Sequence, residues 1–126
     1  MTKSLALALL LLLTPAAVAA LEPARGVVVQ VTVDGTITQG VADYIEEALD
    51  YAESVDAVGV VISLNTNGGY LEATQDIVLA IRESEVPVSV YVPPGGRAFS
   101  AGSIILMAAD HAGMGPGSAV GAAEPR

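Results

Sequence analysis

The sequence predicts an α/β domain with a mainly parallel sheet. Apolar, β-branched runs alternate with stretches of helical periodicity, which is the order that builds β-α units. The run at residues 57–64 is apolar at odd and even positions alike, as expected of a parallel strand covered on both faces. We expect right-handed crossovers between such strands.

The first part of this domain should be a strand and a helix. Residues 27–33 are rich in valine and end at the turn Asp34-Gly35, which predicts a strand. Thr38 is placed to cap the helix that follows. Steps of three and four residues separate the apolar positions of that helix, which are Val41, Ile45, Ala48, Leu49 and Ala52.

The remaining elements follow from the same signals. After the strand at residues 57–64, a second amphipathic helix carries Ala73, Ile77, Ala80 and Ile81. Pro87 ends that helical stretch, and the later segments are predicted from composition and turn residues. They are a strand at residues 88–92, a loop at 93–96, a helix at 101–110, a turn at 113–117 and a short strand at 118–122.

Residues 1–20 have the composition of a targeting segment. Lys3 precedes an unbroken Leu/Ala run at residues 5–13, and Ala17-Val18-Ala19 provides small residues for cleavage. As a membrane span the segment is slightly short of the roughly 20 residues required, and Pro15 interrupts it. A signal peptide and a retained N-terminal membrane anchor therefore both remain open. Either one predicts an extracytoplasmic domain, secreted or membrane-anchored.

Composition excludes several kinds of chemistry. The 126 residues carry a formal charge of −9, and phosphate binding relies on clustered Lys and Arg, so we expect no nucleic-acid partner. The chain has no cysteine and a single histidine. A thiolate or multi-histidine metal site and a cysteine nucleophile are thereby excluded, and we expect no metal and no cofactor.

Two polar segments follow the second and third predicted strands, at the sheet edge where parallel α/β proteins bind ligands. The first, residues 65–69, ends in Gly68-Gly69. This pair forms either a simple strand-to-helix turn or N–H donors for a developing negative oxygen. The second, residues 97–103, contains Ser100, which is either a helix N-cap or a nucleophile at a helix N-terminus.

A serine nucleophile needs a proton acceptor, and neither candidate in this sequence suits Ser100. Lys3 belongs to the targeting segment. About three turns of predicted helix, roughly 15 Å of rise, separate Ser100 from His111, which we expect to be structural or exposed. Ser103, about one helical turn after Ser100, is predicted to pack or cap, and Arg97 either orients a substrate or caps a loop.

Taken in order, five segments of the chain resemble the N-terminal protease domain of NfeD-family membrane proteins. These are membrane-bound serine proteases of the ClpP/crotonase superfamily. The segments are residues 64–69, 87–92, 100–102, 108–110 and 114–123. The resemblance covers residues 26–126 and implies a partial ClpP/crotonase-like serine protease domain, with the C-terminal part of the fold missing from this chain.

By this resemblance, Ser100 is the nucleophile, and Gly68, Gly69 and the N–H of Ala101 form the oxyanion hole. The general base implied by the family is a lysine on a helix beyond the last residue of this chain. The histidine base of ClpP would fall near Ala123, so His111 does not match it. The implied partners are hydrophobic segments of membrane proteins, such as stomatin-like proteins, and a homo-oligomer is left open.

Three functions therefore remain at this point. The first is a serine endopeptidase of the NfeD/ClpP-like class, weakly active or inactive without the implied lysine, so whether this chain is itself an enzyme stays open. The second is a crotonase-like acyl-thioester enzyme, against which the targeting segment argues because coenzyme A chemistry is cytosolic. The third is a non-catalytic, membrane-associated scaffold.

Overall fold

The computed structural model describes residues 25–123, so the predicted signal peptide or anchor at residues 1–20 lies outside the described part. None of the helices in residues 25–123 has the length and apolar character needed to cross a membrane. The elements are β1 Val28–Asp34, α1 Gln39–Ser54, β2 Gly59–Asn65, α2 Leu71–Glu83, β3 Val88–Val92, β4 Arg97–Phe99, α3 Ala101–Ala108, β5 His111–Met114 and β6 Ala119–Gly121.

The main sheet contains four parallel strands in the order β1-β2-β3-β5. One row of the sheet runs from Val31 to Ile62 and then to Val90, and all three side chains are fully buried. The mixed α/β class and the parallel sheet predicted from the sequence are confirmed. Because β1, β2 and β3 are parallel, the loops after them emerge at one edge of the sheet.

Helices α1 and α2 cover the sheet with the faces that their periodicity predicts. The N–H of Val41 donates to Thr38 Oγ1 at 3.3 Å, which confirms the predicted cap of α1. The buried side chains of α1 are Ala42, Ile45, Leu49 and Ala52, while Val41 and Ala48 are partly buried against the same core. The buried side chains of α2 are Ala73, Thr74, Ile77 and Ile81.

A second, smaller layer lies beside the main sheet. Strands β4 and β6 pair in parallel, and isolated bridges link Ala98 of β4 to Thr66 and link Gly69 to Ile37. The layer therefore runs from Ile37 through the segment after β2 and through β4 to β6. Residues 97–99 were predicted only as part of a polar segment, because three residues are too few to show a strand pattern. Backbone bonds to Thr66 make them a strand.

The segment after α3 differs from the prediction. The predicted helix at residues 101–110 ends at Ala108, because Asp110 pairs with β3: its N–H donates to Val88 O at 2.9 Å and its Oδ2 accepts from Val88 N–H at 2.7 Å. The next residues, His111–Met114, form β5, so the turn predicted at 113–117 was wrong for residues 113 and 114. The short strand predicted at 118–122 is confirmed as β6.

Candidate active site

The two polar segments predicted from the sequence meet at Gly68 and Ser100. A Cβ atom added to Gly68 would lie 2.9 Å from Ser100 Cβ and 3.4 Å from Ser100 Oγ. Gly68 also has a φ of +124°, a conformation that glycine adopts without steric penalty. The half-buried side chain of Ser100 therefore occupies space that exists only because residue 68 is glycine.

Ser100 joins β4 to α3 through a strained backbone conformation. Its φ is 51° and its ψ is −114°, a combination that residues with a Cβ avoid and that persists only where the surroundings impose it. The Ser100 N–H donates to Gly121 O of β6 at 2.9 Å. Although Ser100 stands at the N-cap position, its side chain makes no capping bond. A serine on a sharp strand-to-helix turn is the geometry of a nucleophile elbow.

The two glycines of the loop after β2 are required for different reasons. The N–H of Gly68 donates to Thr66 Oγ1 at 3.0 Å, and the C=O of Gly68 accepts from the N–H of Ile37 at 3.0 Å. A Cβ on Gly69 would lie 2.1 Å from Ile37 O. Only glycine therefore fits at residue 69, where the loop passes the chain between β1 and α1.

Helix α3 begins directly beneath this loop. Ala101, Gly102 and Ser103 are buried, and a Cβ on Gly102 would lie 2.5 Å from Thr66 Cγ2, so glycine permits the close approach of the helix to the loop. The first N–H groups of a helix have no partner within it. In residues 25–123, the N–H groups of Ala101 and Gly69 donate to no protein acceptor.

Arg97 lies at the rim of the site and ties the glycine loop to β4. Its backbone N–H donates to Asn65 Oδ1 at 3.0 Å, and its guanidinium donates to Asn67 Oδ1 at 3.4 Å while covering the Phe99 ring. Of the two roles predicted for Arg97, these contacts provide the loop cap. A polar cavity of about 290 Å³ adjoins Arg97, Asn65, Asn67 and Asp34.

The other sequence candidates lie apart from Ser100 or act as structural groups. His111 is exposed at the start of β5, opposite Ser89, which is the amino-terminal edge of the sheet and not the edge that carries Ser100. Ser103 is buried in the first turn of α3, where its Oγ donates to Ser100 O at 2.6 Å. In the described residues, no three histidine or carboxylate side chains form a group that could hold a metal ion.

Comparison with solved structures places this fold among ClpP-like domains. The stomatin-specific 1510-N membrane protease of Pyrococcus horikoshii, solved as a lysine-to-alanine variant with a substrate peptide, superposes with a TM-score of 0.78 at 36% identity. The match covers 82% of this chain and 48% of that chain. ClpP1 from Listeria monocytogenes superposes with a TM-score of 0.59 at 31% identity, over 64% of this chain and 46% of the other.

Residues 27–126 match the family described as NfeD1b, N-terminal domain, and the chain belongs to this family. Membrane-bound protease PH1510 of Pyrococcus horikoshii is 36% identical over 81% of this chain. Membrane protein NfeD1b of Bacillus subtilis is 38% identical over 74% of it. The matched regions span only 23% and 21% of these two relatives.

Proposed function

We propose that residues 26–126 carry the nucleophile of a serine endopeptidase of the NfeD/ClpP-like class. The observation that carries this proposal is Ser100, which lies on a strained strand-to-helix turn with its Oγ above Gly68. Such a backbone conformation costs roughly 1–3 kcal/mol and is typical of active sites. The likeness to a membrane-bound protease supports the same assignment.

The oxyanion hole is assigned to the N–H groups of Gly69 and Ala101. The Gly68 C=O is bound to Ile37 on one side of the loop, and a trans peptide unit directs the following N–H to the opposite side. That side is the one on which β4 lies. The N–H of Gly68 itself is already used by Thr66, so the contribution of Gly68 is the space that it leaves for Ser100.

In the proposed reaction, Ser100 Oγ attacks the peptide carbonyl carbon and its proton passes to a lysine amine. The negative carbonyl oxygen is held by the N–H groups of Gly69 and Ala101, each of which can lower the barrier by about 3 kcal/mol. The lysine then returns the proton to the departing amine, and water hydrolyses the acyl-enzyme. From the family resemblance we propose that this lysine lies beyond Arg126. The lysine-to-alanine variant of the Pyrococcus protease, solved with a substrate peptide, supports this proposal.

The substrates proposed are hydrophobic segments of membrane proteins, cleaved outside the cytoplasm by a membrane-associated enzyme. An apolar groove of about 490 Å³ lies between α2 and α3, lined in part by Leu71, Leu79 and Ile104. Leu71, which is 68% exposed and lines this groove, comes two residues after Gly69 in the sequence. The relative is named as stomatin-specific, which supports the same substrate class.

The role of the lysine predicts a large difference in reaction rate. We expect residues 1–126 alone to react slowly with a fluorophosphonate, because the lysine that we propose as the base is not among them. A protein extended through the lysine-bearing segment should react at least roughly a hundredfold faster, within the range typical of general-base catalysis. Intact-mass measurements over time give both rates. Equal rates would show that this lysine does not activate Ser100.

A further inference from the structure

The buried polar side chains of residues 25–123 are Thr66, Thr74 and Ser103, each at most 3% exposed. Two of them lie at the candidate active site. Thr66 begins the glycine loop, and Ser103 lies in the first turn of α3. A hydroxyl in apolar surroundings is unfavourable unless it is hydrogen-bonded, so the partners of these two groups indicate why they are present.

Both hydroxyls donate to backbone carbonyls beside the nucleophile. Ser103 Oγ donates to Ser100 O at 2.6 Å, and Thr66 Oγ1 donates to Gly68 O at 3.2 Å. Backbone donors bind the same two oxygens. The N–H groups of Ser103 and Ile104 reach Ser100 O at 3.0 and 3.4 Å, and the N–H of Ile37 reaches Gly68 O at 3.0 Å.

Each of these carbonyls shares a peptide unit with a proposed oxyanion donor. Ser100 C=O is in one plane with Ala101 N–H, and Gly68 C=O is in one plane with Gly69 N–H. In a planar trans unit the C=O and N–H point in opposite directions, so a bond that fixes the carbonyl also fixes the N–H. Rotating either unit by half a turn would present a carbonyl oxygen to the developing negative charge and oppose the reaction.

We propose that Thr66 and Ser103 are positioning residues that preorganise the oxyanion hole. Each hydroxyl holds one carbonyl in place, which keeps the N–H of Gly69 or Ala101 directed at the substrate oxygen before the substrate arrives. This inference rests on the proposed function of Ser100 as the nucleophile. Under this inference the two hydroxyls help to stabilise the transition state and do not affect the affinity for substrate.

The test compares Thr66→Val and Ser103→Ala with the unmodified protein, each extended through the proposed lysine-bearing segment, using a peptidyl diphenyl phosphonate with an apolar side chain. Saturation kinetics separate the inhibition constant KI, which reports binding, from the rate constant kinact, which reports attack at phosphorus. We expect kinact to fall roughly three- to tenfold in Ser103→Ala, as the loss of one hydrogen bond implies. In Thr66→Val we expect at least the same loss, because this variant also removes the acceptor of the Gly68 N–H. We expect KI to stay unchanged.

Two further variants separate positioning from general destabilisation. Thr66→Ser keeps the hydroxyl and should restore most of kinact. Ser118→Ala is the matched control for Ser103→Ala, because Ser118 Oγ also donates to the carbonyl three residues earlier at 2.6 Å. It lies outside the site and should leave kinact unchanged. Proton NMR of the phosphonate adduct provides a second measurement. The downfield shift of the Gly69 amide proton should be smaller in Thr66→Val than in the unmodified chain, and that of the Ala101 amide proton should be smaller in Ser103→Ala.

The outcomes distinguish this inference from the proposed function. If Ser100→Ala abolishes the reaction while Thr66→Val and Ser103→Ala leave kinact unchanged, the hydroxyls do not position the hole and Ser100 keeps its role. A change confined to KI, or an equal loss in Ser118→Ala, also overturns the inference. If Ser100→Ala reacts as fast as the unmodified chain, the proposed function itself fails.

Discussion

Replacing Ser100 with glycine is expected to abolish phosphonate labelling at residue 100 and, at the same time, to raise the free energy of unfolding by about 1 kcal/mol. The labelling is lost because the nucleophile is removed. The stability rises because residue 100 has a φ of 51° and a ψ of −114°, which glycine adopts with less strain than serine. The serine side chain makes no capping bond that would be lost.

Ser100→Ala is the matched control for this experiment. Alanine also lacks the nucleophile, but it keeps a Cβ and therefore keeps the strain, so we expect no labelling and no gain in stability. Urea unfolding measures the stability, and mass spectrometry measures the labelling. If Ser100 were instead a helix N-cap, Ser100→Ala would lower the free energy of unfolding by about 1 kcal/mol. That result would contradict the role assigned here.

Gly68→Ala is expected to slow labelling of Ser100 by roughly a hundredfold or more, because misplacing a reacting group by about 1 Å has an effect of that order. The added Cβ would lie 2.9 Å from Ser100 Cβ, so either the serine or the glycine loop must move. The same loop carries the Gly69 N–H of the proposed oxyanion hole. One methyl group thus disturbs both the nucleophile and a donor.

Gly35→Ala is a control that distinguishes the effect of the steric contact with Ser100 from the effect of an unfavourable φ. Gly35 has a φ of +127°, close to the +124° of Gly68, but a Cβ there would meet nothing within 4 Å. Both variants should lose about 1 kcal/mol of stability through the unfavourable φ, and only Gly68→Ala should lose labelling. Equal labelling rates in the two variants would show that the contact between Gly68 and Ser100 has no functional role.

The sequence was sufficient to predict the helices and strands that have a clear hydrophobic pattern within their own residues. β1 and β3 are rich in valine at alternating positions, β2 is apolar at most positions, and α1 and α2 have regular apolar periodicity, so these local patterns predict the elements. The positions of Gly68 and Ser100 at one sheet edge followed from the rule for parallel sheets. The rule therefore predicted correctly that the two segments lie close together.

The remaining features depend on partners that are distant in the sequence. β4 is a strand because β6 pairs with it and Thr66 bridges to it, and β5 is a strand because β3 pairs with it; neither has a strong local pattern. The φ of Ser100 is imposed by the connection of β4 to α3 and by Gly121. Thr66 was not singled out from the sequence, because its role requires the loop conformation that brings its Oγ1 to Gly68 O.

The most direct test of the central claim is to locate the adduct after the protein extended through the proposed lysine-bearing segment reacts with a fluorophosphonate, using tandem mass spectrometry. We predict an adduct on Ser100 and none on Ser103, which is 3% exposed. Ser54 is exposed on α1 and serves as an internal reference of ordinary serine reactivity. A non-catalytic scaffold predicts no preference for residue 100. An adduct on Ser100 no more abundant than on Ser54 would contradict the assignment of Ser100 as the nucleophile.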